Sequence, residues 1–228
     1  MPFSLFGKNK RQPAQLLEEG WQLYSKPTTL EPVGTLFRID PESRRFLVDE
    51  IKVETQQGAE AAARVEQRVE ATFGIFARFL GLDSYKGTAG VRDAETLEFE
   101  VVDPVREVAT DVAMHKALDP VLGTLPYRAD NKYYVIRDSR SATAMTYRLT
   151  TQQLGEIGGE ATLVAALGAG AKIGAGQSGK YEIQQRFPAR MRVMFLADEI
   201  ALVKAGLAGG RPELGLIPVR RMLVWSDA

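Results

Sequence analysis

The 228-residue sequence predicts an α+β fold: a large, twisted, mostly antiparallel sheet flanked by helices, with long hairpin-forming segments. Three observations carry this. Apolar and polar positions alternate through 61–79 and Thr96–Val102, the period of two that a half-buried strand requires, and Tyr133–Thr151 has few helix signals. Residues 105–125 have a helical composition instead. No repeat, linker or low-complexity segment divides the chain, so these elements belong to one domain.

Taken in order, the chain opens with Phe3, Leu5 and Phe6, followed by Lys8, Lys10 and Arg11. Pro13 begins PAQLLEEGWQLY, a short helix or helix-to-strand transition ending near Gly20. TLEPVGTLFRID and RRFLVDEIKVE are strands about a turn at Asp40-Pro41-Glu42. Residues 61–79 set Val65, Val69 and Phe73 on one parity and Arg64, Glu66, Arg68 and Glu70 on the other. That run far exceeds the usual strand of about 5–6 residues. Its Ala and Glu content keeps helix open as an alternative for part of it. Gly81–Gly90 is a loop. Thr96–Val102 is a strand closed by Asp103-Pro104, and residues 105–125 form a helix ended by Pro126.

Tyr133–Thr151 is a second long extended stretch, rich in β-branched and hydroxyl residues. From Ala161 to Ala175 the odd positions are all Ala, Leu or Ile, which predicts extended chain running on to Lys180–Phe187, where Pro188 breaks it. Met191–Leu196, Glu199–Val203 and LGLIPV are further strands, with a turn across Gly206–Pro212. The expected division is a body of 1–219 and a tail of 220–228, RRMLVWSDA.

Composition narrows the function. Lys plus Arg and Asp plus Glu number 29 each, so no charge bias points to a nucleic-acid partner. The absence of cysteine excludes disulfides, thiol catalysis and cysteine metal sites. The first apolar run is too short for a secretory signal. No uncharged apolar run reaches the ~20 residues of a spanning helix. A cytoplasmic, soluble protein is expected.

One motif imitates a phosphate-binding loop: Gly174, Gly179 and Lys180 spell G-x-x-x-x-G-K. The hydroxyl that should follow to hold magnesium is replaced by Tyr181. Tyr181, Ile183 and Phe187 share a parity, so a strand follows where the motif needs a helix. The segment is read as a Gly-rich hairpin tip. His115 is the only histidine, with Asp111 four residues before it, on one helix face. Without a second histidine or a cysteine the two read as a solvated helix pair. No G-x-S-x-G, H-E-x-x-H or paired-carboxylate motif occurs. No catalytic, metal or cofactor site is assigned, and the chain is not read as an enzyme.

The long segments are the informative feature. Residues 61–79 and 96–108 suit one hairpin around the 81–95 loop, and 133–151 with 161–187 suit a second set. Each is longer than the ~9–11 residues a membrane β-strand needs. The same pattern also describes a twisted sheet packed on helices, that is, an α+β ligand- or protein-binding module.

Several stretches, in order and spacing, resemble the gasdermin pore-forming domain. LEPVGTLFRID with FLVDEIKVE is similar to that family's early strand pair. FARFLGLDSYKGTAGVRDAETLEFEVV resembles its first pore hairpin, especially in the bacterial branch. DNKYYVIRDSRSATAMTYRLT resembles the lead into the second pore hairpin, and FPARMRVMFLADEIALV the strand pair after it. SLFGKNK is similar to the family's short amphipathic start. Two departures stand out. Phe3 and Ser4 occupy the place of the acylated cysteine of bacterial members, so lipidation is not carried over. The tail is far shorter than the inhibitory domain of animal members and closer to bacterial and fungal ones.

The resemblance implies a protein held inactive in the cytoplasm until a partner protease releases the tail. It would then bind membrane phospholipids, self-assemble in the cell's inner (plasma) membrane and open a β-barrel pore that kills the cell, in defence against phage. Phe3, Leu5, Phe6, Lys8, Lys10 and Arg11 would meet the headgroups. Val65, Val69, Phe73, Leu97, Phe99, Leu163, Leu167 and Ile173 would face lipid, with the charged parity towards the lumen. Leu223 and Asp227 are the candidate cleavage positions.

Overall fold

The computed structural model describes residues 20–59, 64–71, 95–122, 125, 128, 130–150, 155, 159–168, 170–175, 179–203, 213–220 and 226–227. Seven strands come first: β1 (Gln22–Thr28), β2 (Thr35–Ile39), β3 (Arg44–Glu50), β4 (Thr55–Ala59), β5 (Arg64–Ala71), β6 (Glu95–Val102) and β7 (Val105–Ala109). Helix α1 (Asp111–Leu122) leads to β8 (Lys132–Thr150), and α2 (Glu160–Leu167) to β9 (Ala171–Ala175), β10 (Lys180–Val203), β11 (Glu213–Pro218) and β12 (Ser226–Asp227).

Among the described residues, the twelve strands join one open sheet, antiparallel except where β12 lies parallel to β3. Its spine is the antiparallel pair β8–β10. At ~3.3 Å per residue the 19-residue β8 is roughly 60 Å long, long enough to serve two regions of the fold. Its first residues pair with β2, its middle with β7 and its last with β6. On the outer side of β10, β9, β1 and β11 follow in turn. The sheet therefore has a body end, β3–β2–β8–β10–β11, and a hairpin end, β5–β6–β8–β10–β9.

Local chemistry fixes the connections. Between β2 and β3, the Asp40 carboxylate accepts the backbone N–H groups of Glu42 (3.0 Å) and Arg44 (2.8 Å), closing the turn over Ser43 at φ 63°. Thr110 caps α1, its Oγ1 accepting the Ala113 N–H at 3.2 Å. Met114 and Leu118, four residues apart, are buried, with Ala117 and Val121 flanking them. They cover a body core in which Phe37 stacks on Tyr134 (5.2 Å) and Tyr24 leans on Phe195 (4.7 Å).

Three expectations are corrected. Residues 105–109 are strand β7, and the helix spans only 111–122. Asp103, at φ 52°, lets the chain resume pairing with β8 after β6, so β6 and β7 act as one interrupted strand. Residues 160–167 are helix α2, whereas extended chain was expected from Ala161 onward. Ala and Leu favour helix in water, and Leu163 and Leu167 satisfy an i, i+4 stripe as well as a common parity. Pro188 does not end its strand: β10 runs through it, the register slipping between Arg186 and Met191 where no ladder donor is needed. The PAQLLEE segment and the Gly206–Pro212 turn lie outside the described residues.

Candidate functional site

The hairpin end is where the sequence-predicted residues meet. β5 and β6 pair with Val65 opposite Val101 and Val69 opposite Leu97. β6 continues onto β8, Phe99 opposite Tyr147, and β8 onto β10, Tyr147 opposite Ile183. β10 then continues onto β9, Ile183 opposite Ile173. A single apolar row thus crosses from Phe99 to Ile173, its two ends being positions the sequence singled out.

That row is not exposed. Phe99, Tyr147, Leu149 and Ile183 are buried in one cluster with Leu163 and Leu167 of α2, and Ile173 packs against it. Helix α2 covers the apolar face. Of the lipid-face candidates, Val65 and Val69 lie on β5, Leu97 and Phe99 on β6, Leu163 and Leu167 on α2 and Ile173 on β9. Phe73 lies outside the described residues, as do Phe3, Leu5, Phe6, Lys8, Lys10, Arg11 and Leu223.

The even positions carry a ladder of opposite charges. Glu98, Arg148 and Glu182 stand opposite one another across β6, β8 and β10. Lys180 donates to both Glu98 carboxylate oxygens at 3.2 Å. Arg148 donates to Glu100 at 3.3 Å and lies 3.7 Å from Glu182. The ladder fastens the first hairpin to the second. Sequence reasoning named Arg64, Glu66, Arg68 and Glu70 for this face and missed Glu98, Glu100, Arg148 and Glu182. The signal was their common parity within TLEFEVV, TYRLT and KYEIQQRF.

Lys180 is therefore the first residue of a strand, engaged by Glu98, with no helix following it. The chain on either side of 176–179 forms the antiparallel pair β9–β10, so the glycine-rich motif is a hairpin connection. His115 and Asp111 share α1 as expected. The His115 Nδ1 lies 2.8 Å from the Asp111 carbonyl oxygen, and Arg137 donates to the Asp111 carboxylate at 3.2 Å. Among the described residues no group of three metal-ligating side chains occurs, and no helix is long and apolar enough to cross a membrane.

Two acids are buried in the body, beyond the hairpin end. Burial pushes the Asp138 carboxyl above the usual aspartate value, an effect that Arg106, donating through Nε at 2.9 Å, partly offsets. Burial likewise pushes Asp198 up, with Arg137 at 3.6 Å pulling it back and Asp111 adding to the rise. An open groove of about 550 Å³ runs between 49–54 and α1, lined by Ile51, Ala117 and Val121 with Lys52, Glu54 and Lys116 at its rim.

The tail returns to the opposite edge of the sheet. Val219 is buried in the body core and donates its N–H to the Ala197 carbonyl at 3.0 Å. Ser226 and Asp227 then pair in parallel with Arg44 and Arg45 of β3. Asp227, a candidate cleavage position, is held by a strand edge of the body.

The sequence matches no family model, and no curated protein matches it. Among solved structures, the fold is similar to that of a bacterial gasdermin from Bradyrhizobium tropiciagri. The TM-score is 0.51 at 15% identity, over 92% of this chain and 90% of that one. The likeness is one of fold: this chain has a gasdermin-like, α+β architecture.

Proposed function

We propose that this gasdermin-like chain is a membrane-permeabilising protein, soluble while its apolar hairpin face is covered, that assembles into a β-barrel pore once released. The observation that supports this best is the apolar row across β6, β8, β10 and β9, hidden by one eight-residue helix. Burying two leucines stabilises that cover by roughly 4 kcal/mol. A lipid surface offers the same row an alternative partner.

In a bilayer, unpaired backbone groups are too costly for open edges, so hairpins from many copies must close into a barrel. The part of that row on β6, β8 and β10 would face lipid. Arg64, Glu66, Arg68, Glu70 and the Glu98–Arg148–Glu182 ladder would face water. Release of residues 220–228 by a protease is the proposed trigger. Phe3, Leu5, Phe6, Lys8, Lys10 and Arg11 would dock the chain on anionic lipid at about 1 kcal/mol per charge. Killing of the producing cell, as a defence against phage, is the role this activity fits. No enzymatic step, metal or cofactor enters the proposal.

Dye release from anionic vesicles tests it. A site-specific protease sequence is inserted after Arg220 in the full-length chain. Cutting on the vesicle is expected to start leakage that the uncut protein does not cause. A cut, folded protein that leaves vesicles sealed would leave the binding-module reading, with the α1 groove as its site, in place instead.

A further inference from the structure

We infer that the edge of β10 beneath β9 is the docking surface for the β5 edge of a second copy, and that β9 is a detachable strap keeping it closed. The inference rests on the pore reading and adds the contact that controls assembly. It follows from strand count. The hairpin end has the order β5–β6–β8–β10–β9, every pair antiparallel, so β5 and β9 run in the same direction. Copies joined edge to edge would set β9 of one parallel to β5 of the next. Without β9, the next β5 meets β10 antiparallel, and four strands per copy close an all-antiparallel ring.

Length points the same way. The five residues of β9 are too few to span the hydrocarbon layer, which needs ~9–11. The 24-residue β10 it covers is long enough. While β9 stays, it satisfies the backbone groups of Tyr181–Gln185 that a second copy would otherwise engage.

The strap is built to move. It is bracketed by Gly168 (φ 79°) and Gly179 (φ 71°), left-handed positions where glycine turns without steric cost. Gly170 seats its start. Its carbonyl accepts the Arg186 N–H at 3.1 Å, and a Cβ there would come within 2.4 Å of the Arg186 carbonyl oxygen. Beyond that ladder, Ala171 and Ile173 are packed, half-buried, against the core cluster, while Lys172, Gly174 and Ala175 are exposed. The incoming edge also suits the uncovered one. Set at the level Arg68 holds through Glu98 and Arg148, the next copy's Glu70 would stand opposite Lys180 and its Arg68 opposite Glu182. Both pairs are opposite in charge.

Because the chain has no cysteine, a tethered strap can be made cleanly. Lys172 stands opposite Gln184, so Lys172→Cys with Gln184→Cys locks β9 onto β10. Gln56→Cys with Val108→Cys, across the β4–β7 pair, is the control for oxidation. Each pair is placed in the full-length chain with the protease sequence after Arg220 and cut on anionic vesicles. The strap pair is expected to be silent when oxidised and to leak once reduced, with the control pair leaking in both states. Leakage from the oxidised strap pair would overturn the strap while leaving the pore reading intact. Silence of the reduced pair and of the control together would overturn both. Gly170→Ala works in the opposite sense: by loosening the seat it should lower the half-maximal protein dose about fivefold, the equivalent of one backbone hydrogen bond. An unchanged or higher dose from a folded Gly170→Ala protein would also count against the strap.

Discussion

Leu163 is fully buried under the apolar row, and its side chain does most to hold α2 in place. Leu163→Ala removes that contact and is expected to cost about 2–5 kcal/mol of stability in denaturant melts. If α2 is the cover, the loosened protein also leaks at a lower dose after cutting; a destabilised variant with an unchanged dose would separate α2 from the pore. Asp198 tests a different balance. Its folded-state pKa is raised, so the folded chain binds that proton more tightly than the unfolded one. Stability therefore falls as pH rises through the window between the ordinary aspartate value and the raised one. At neutral pH the burial cost is fully present. Asp198→Asn is expected to raise Tm at pH 7, with the gain shrinking on acidification. A lower Tm at pH 7 would mean that the contact with Arg137 outweighs burial.

At the scale of elements, legibility in the sequence followed side-chain period. β6 is short and alternating, so it was readable with its parity, and β8 is rich in β-branched residues and free of Gly and Pro, so it was readable as extended chain. The Ala161–Leu167 stretch satisfies strand and helix periods at once, and only its packing on Phe99 and Tyr147 decides for helix in water. That ambiguity fits a segment with two environments. VREVA was hidden by helix-favouring residues, and its strand state is fixed by pairing with β4 and β8, which no local signal announces. Pro188 misled because a bulge frees the position from the ladder. The Glu98–Lys180 pair joins residues 82 apart in sequence, so it became visible only with the register of β6, β8 and β10.

At the scale of the molecule, one long spine serves two ends with different tasks. The body end is locked by aromatic stacking around Phe37 and Tyr134, by α1 and by the tail on β3. The hairpin end is held by a short helix, a strap and an ion ladder. Its two faces carry the central claim, that odd positions of the hairpins enter lipid and even ones line water. The most direct measurement uses single cysteines from Val65→Cys to Glu70→Cys, each labelled with an environment-sensitive fluorophore and followed as the full-length chain is cut on anionic vesicles. Positions 65 and 69 are expected to shift to the blue while 66, 68 and 70 do not, the period of two that a strand at a lipid–water wall imposes. A uniform response along 65–70 in protein that has bound the vesicles, or no response in protein that makes them leak, would contradict it.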